Sequence, residues 1–193
     1  MTTPAHGVVL LAAGASRRLG RPKQLVVIDG ETLVRRAARC TLATQPLDAV
    51  IVLGHAADDI AAAVADLPLR TIVAGDWHDG MGASLARGVA ALDARCDGVM
   101  VALCDQPALT PAHCAALVDA WRRHPAGAAA SGYAGVVGVP AVLPRAWLVE
   151  PGALAGDQGA RELLRSASRE VVAVTAPELA CDVDRVADLP PAP

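Results

Sequence analysis

The sequence predicts an α/β fold with a mostly parallel central sheet and helices on both faces, a Rossmann-like three-layer α/β/α sandwich. Short apolar runs without polar alternation recur along the chain, as fully buried strands do, and segments with helical spacing lie between them. Strand then helix, repeated, is the pattern of a parallel sheet. At 193 residues the chain has the length that one hydrophobic core supports, so a single domain over 1–193 is expected, with its core at about 7–189.

The first run, GVVLLAA from Gly7, is a strand, and Leu33, Val34, Ala37 and Ala38 mark the helix after it. DAVIVLG from Asp48 follows, then a helix marked by Ile60, Ala63 and Val64. RTIVAG from Arg70 leads to a helix carrying Leu85, Val89 and Leu92, and GVMVALC from Gly98 is the fourth strand. Thr110 followed by Pro111 is an N-cap and first-turn pair for a helix with Leu117, Val118 and Trp121 on its apolar face. From Gly127 the pattern loosens into glycine- and proline-rich turns around GYAGVVGVPAVLP, with a helix-like GARELLRS near Gly159. Binding residues often sit in such regions, and the tail DLPPAP is expected to fray.

Composition narrows the function. A net charge of -3 and a pI near 5.9 provide no basic field for a nucleic-acid backbone, and 2% aromatics leave little for stacking on a single strand. No apolar run is long enough to span a bilayer, and MTTPAHG lacks the regions of a signal peptide, so neither nucleic acid nor membrane is expected and a cytoplasmic location is. The cysteines, Cys40, Cys96, Cys104, Cys114 and Cys181, form no CxxC pair and read as reduced core thiols.

In parallel sheets ligands bind at the carboxyl ends of the strands. After the first strand comes GASRRLGRPK, a glycine-rich turn with Arg17, Arg18, Arg21 and Lys23. Amides of such a turn hydrogen-bond phosphate oxygens while the cations neutralise them. The spacing fits neither a P-loop nor a GxGxxG fingerprint. Lys23 is the only lysine among 17 cationic residues, and an ammonium on a flexible stem can follow a phosphate through a displacement.

LAAGASRRLGRPKQL resembles the signature LAAGxSxRMGxPKxL of the MobA-like nucleotidyltransferase superfamily, and more narrowly the molybdenum cofactor cytidylyltransferases. Leu19 stands where Met is usual. The resemblance implies a nucleotidyltransferase-type fold, with Arg18 and Lys23 on the triphosphate and Leu11, Ala12, Ala13 and Gly14 bordering base and ribose. Ala13, where related guanylyltransferases usually carry Gly, favours CTP over GTP.

Asp105 closes the fourth strand, a fitting place for a divalent ion held by carboxylates and substrate phosphates. CDQPAL resembles the family's metal-binding segment, and CDVDRVADL is similar to its DVDTPEDL, with Arg185, Val186 and Ala187 replacing Thr, Pro and Glu. Asp182 and Asp184 are two apart and share a side of an extended segment, so either can be the second ligand, with position favouring Asp184. Mg²⁺ is the expected ion and Mn²⁺ the alternative. WHDGMGASLARGV resembles the family's loop and helix beside the nucleotide and makes Gly80, Gly82 and Ser84 candidate contacts.

On the acceptor side, GVVGVPAVL resembles a loop with a GHP triplet, in which Val139 replaces the His and Pro140 is kept. GDQGARELL offers Asp157 and Arg161 toward a pterin or its phosphate. The implied reaction transfers CMP from CTP to the phosphate of molybdenum-molybdopterin, and the product can pass to a molybdoenzyme or its chaperone. Guanylyl or sugar-phosphate transfer, and a non-catalytic carrier of molybdenum cofactor, remain alternatives.

Overall fold

The computed structural model describes residues 3–154 and 159–189. Its first strand, β1 (His6–Ala12), is buried at every position, as a strand covered on both faces must be. A two-residue hairpin, β2 (Val27–Ile28) and β3 (Glu31–Thr32), leads into α1 (Leu33–Leu42), β4 (Asp48–Leu53), α2 (Ala57–Ala63) and β5 (Arg70–Val73). Then come α3 (Met81–Ala91), β6 (Gly98–Leu103) and α4 (Pro111–Arg123). The remainder is β7 (Ala128–Tyr133), β8 (Val136–Pro144), α5 (Arg145–Leu148), α6 (Arg161–Arg165) and β9 (Val171–Thr175).

Seven strands form the central sheet in the order β5-β4-β1-β6-β8-β7-β9. All pairings are parallel except those of β8, which runs antiparallel to both β6 and β7. Alternate residues of each strand feed opposite layers. Val9 and Leu11 pack with Leu85 and Val89 of α3 and with Leu92 just past its end, whereas Leu10 and Ala12 pack with Val34, Ala37 and Ala38 of α1. Val8 joins Leu117, Val118 and Trp121 of α4 on that second face. The helix α3 lies close because position 88 is glycine: a Cβ there would come within 2.5 Å of Val9 Cγ1. Thr110 caps α4 as expected, its hydroxyl accepting from the His113 amide.

The region after Gly127 holds the helix expected near Gly159 as α6, and it is more regular than the glycine- and proline-rich turns expected before it. It forms the antiparallel hairpin β7–β8 and the edge strand β9. Ala128–Tyr133 is too rich in small residues to signal a strand, and Pro140 argues against one. The ladder jumps from Ala130↔Ala141 to Ser131↔Gly138, so Pro140 falls in a bulge where no ladder N–H is needed. Cys181 is a second correction: it is exposed, while the other four thiols are buried.

The chain moves outward from β1 through β4 to β5 and then returns to place β6 on the other side of β1. This reversal puts the ligand crevice beyond the carboxyl ends of β1 and β6. The turn after Ala12 and the carboxylate of Asp105 emerge there. No helix among the described residues is long and apolar enough to cross a membrane.

Candidate active site

The turn after β1 is held by one buried side chain. Gln24 donates its amide N–H groups to the carbonyls of Ala12 at 2.8 Å and Gly14 at 2.9 Å. Ser16, at a positive φ of 50°, accepts from the Leu19 and Gly20 amides through its carbonyl and from the Lys23 amide through Oγ. Leu19 is buried with Val26, Ile28, Leu33 and Val183, which fastens the cationic turn to the C-terminal segment.

That segment supplies two carboxylates. The Val183 amide donates to the Asp105 carbonyl at 2.8 Å, and the Val183 side chain points into the cluster around Leu19. Asp182 and Asp184, on either side, therefore turn the other way and meet Asp105, with one oxygen from each of the three within 4.8 Å of the others. Asp188 Oδ2 accepts from the amides of Asp184 and Arg185 at 3.0 and 2.7 Å and so makes the turn despite the Arg185–Ala187 replacements.

Lys23 Nζ lies between two of these acids, 2.7 Å from Asp105 Oδ2 and 2.8 Å from Asp184 Oδ1. Burial opposes its charge, but Asp105 and Asp184 outweigh that and raise its pKa above the ordinary lysine value. The hydrogen bond from Lys23 holds Asp184 below the usual carboxylate range against partial burial. Arg18 approaches Asp184 at 3.5 Å from a largely exposed position, where water screens the pair.

The donor set suits a hard divalent cation, being oxygen throughout. Asp105 Oδ1 is buried without a hydrogen-bond partner among the described residues, an arrangement that leaves one acceptor to be satisfied by an ion or a ligand.

Two cavities meet at this cluster. The first, of about 500 Å³, is walled by Ala13, Gly14, Arg17, Lys23, Gly80, Ser84 and Asp105. The second, of about 490 Å³, includes Tyr133, Val139, Arg161, Arg165 and Asp182. Leu11, Met81, Leu103 and Asp105 are common to both.

Most residues singled out in the sequence converge here, with four differences. The Ala12 side chain packs into the opposite layer, so its part is the carbonyl that Gln24 grips. Gly82 is buried within α3. Pro140 is buried too, its carbonyl accepting from Ser131 Oγ at 2.6 Å, and Val139 beside it reaches the second cavity. Asp157 lies outside the described residues. Sequence reasoning passed over Gln24, Trp77 and Tyr133. For the last two a signal existed: the chain has three Trp, one Tyr and no Phe, so an aromatic residue beside a glycine-rich motif stands out.

The MobA-like NTP transferase domain model matches residues 8–172. The chain is 38% identical to the nicotine blue oxidoreductase of Paenarthrobacter nicotinovorans over 81% of its own length and 80% of that protein's. It is 31% identical to the purine catabolism protein PucB of Bacillus subtilis, over 86% and 83% of the two chains. Rv0371c of Mycobacterium tuberculosis superposes with a TM-score of 0.82 at 28% identity, covering 97% of this chain and 96% of that one. A second structure of Rv0371c, in complex with manganese, matches with a TM-score of 0.78 at the same identity, over 96% of both chains.

Proposed function

The chain belongs to the MobA-like NTP transferase family, and on that premise we propose that it transfers CMP from CTP to the phosphate of molybdenum-bound molybdopterin. One observation carries the reading: a cationic phosphate-type turn and three carboxylates converge on a cavity that joins a second one at Asp105. CTP takes the first cavity, where the turn lies, and the acceptor takes the second, with Arg161 and Arg165 toward its anionic group.

An acceptor phosphate oxygen attacks the α-phosphorus, the bond to the β-phosphate oxygen breaks, and pyrophosphate leaves. The acceptor is already ionised near neutral pH, so no protein base is needed and catalysis rests on positioning and charge neutralisation. Lys23 and the arginines of the turn stabilise the charge that grows on pyrophosphate. Asp105, Asp184 and Asp182 would hold Mg²⁺ or Mn²⁺, which when bound neutralises and orients phosphate oxygens. Manganese in the complex of Rv0371c supports a divalent ion in this family.

A second reading rests on the 38% identical relative, whose name makes it an oxidoreductase of nicotine blue. On that reading the first cavity takes a redox nucleotide and the second a flat organic acceptor.

The deciding experiment measures pyrophosphate release from CTP, GTP, ATP and UTP with Mg²⁺ or Mn²⁺, with and without molybdenum-loaded molybdopterin. Release from CTP that depends on the pterin establishes the cytidylyl reading. Release from GTP instead reassigns the base. No release from any nucleotide, together with oxidation of a reduced nicotinamide nucleotide by an organic dye, establishes the second reading.

A further inference from the structure

Four aromatic residues of the Trp, Tyr and Phe types occur in the whole chain, and their placement is uneven. Trp121 is buried in the core, and Trp147 lies under the Arg169 guanidinium at 4.6 Å. Tyr133 lines the second cavity, and Trp77 lines the first. Trp77 is half-buried and held from behind. A Cβ on Gly54 would fall 2.6 Å from Trp77 Cγ and 2.7 Å from the Ala13 carbonyl, so glycine there lets the indole press against the backbone just past the end of β4, beside the turn that follows β1. The exposed His78 ring stacks on Trp77, with centroids 4.8 Å apart and planes 28° apart, and lines the same cavity.

We propose that Trp77 and His78 form the platform on which the nucleotide base stacks, and that Trp77 is a binding determinant for the donor substrate. A π-face is what a planar heterocycle requires, and Trp77 and His78 are the aromatic side chains of this cavity, whose other walls are aliphatic, polar and charged groups. The indole shares the cavity wall with Ala13, Gly14, Arg17 and Lys23, so a base resting there keeps its phosphates within reach of the cationic turn. The inference rests on the reading of the first cavity as a nucleotide site and adds which residue holds the base.

The test compares binding of CTP and of pyrophosphate to the whole protein by calorimetry, alongside tryptophan emission. Trp77→Leu should weaken CTP by roughly tenfold, the scale of one lost stacking partner, and leave pyrophosphate affinity unchanged. Trp77→Phe should restore most of the CTP affinity. In the wild type, CTP should quench tryptophan emission and pyrophosphate should not, a result that needs no variant to fold. Equal CTP affinity in the wild type and Trp77→Leu overturns the platform while leaving the nucleotide site intact. Absence of binding by the wild type to any of the four nucleoside triphosphates overturns both.

Discussion

Lys23 Nζ donates to Asp105 Oδ2 at 2.7 Å, so the side chain expected on the triphosphate stands among the acids expected on the metal. It donates equally to Asp184 Oδ1 at 2.8 Å. An ammonium and a divalent ion would compete for these oxygens, and the flexible lysine stem would allow the ammonium to turn toward a phosphate if an ion took its place. An arginine fork would be less able to make that exchange, which gives a physical reason for the single lysine of this chain.

Lys23→Met is expected to act in opposite directions on two measurements. Turnover should fall by roughly two orders of magnitude, as a charged transition-state contact is lost. Mn²⁺ binding without nucleotide, followed by electron paramagnetic resonance, should tighten severalfold because the competing cation is gone. Unchanged Mn²⁺ affinity would show that the ammonium and the ion do not share a site.

Asp105→Asn should abolish metal-dependent turnover and Mn²⁺ binding while the protein stays folded. The Val183 amide bonds to the backbone carbonyl of residue 105, so the C-terminal segment keeps its anchor. A stability loss of about 1–2 kcal/mol in urea is expected from the weakened bond to Lys23. Retained Mn²⁺ binding would place the ion elsewhere.

Gln24→Leu tests the turn itself. The change keeps the volume but strips the Ala12 and Gly14 carbonyls of their shared donor, at a cost of about 2 kcal/mol. A turn freed from this clamp holds phosphates less well, so KM for CTP should rise more than kcat falls. A variant with wild-type KM would mean that the turn is shaped by Ser16 and the burial of Leu19 alone.

The parallel half of the sheet was legible because β1, β4 and β6 are buried on both faces and therefore spell continuous apolar runs. The β7–β8 hairpin was not, since β7 spends alanine, serine and glycine where β-branched residues are usual, and the proline of the valine-rich β8 is excused by a bulge that no local pattern announces. Within the site, the signature turn, Asp105 and the two aspartates two residues apart could be read directly. The Lys23 bridge across 82 residues to Asp105 is a tertiary event, as is the inward turn of Val183 that aims Asp182 and Asp184 outward.

His6 supplies a pH dependence that the proposed catalytic residues do not enter. Thr44 donates its hydroxyl to the Thr41 carbonyl at 2.6 Å, so toward His6 Nε2, 2.8 Å away, Thr44 Oγ1 is an acceptor and Nε2 carries the proton. Nδ1 is then bare and, among the described residues, buried without a partner, so protonating it would create a buried charge with no acceptor there. Burial, reinforced by the Arg122 charge, lowers the pKa from 6.5 to about 4. Between those values the unfolded chain binds more protons than the folded one, so stability is fully present above 6.5 and is lost as pH falls toward 4. The expected loss is on the order of 3 kcal/mol. Urea unfolding of the wild type and of His6→Gln at a series of pH values should therefore give curves that converge as pH falls through this window, because the glutamine cannot take up the proton. Curves that stay parallel would assign the acid sensitivity to other groups.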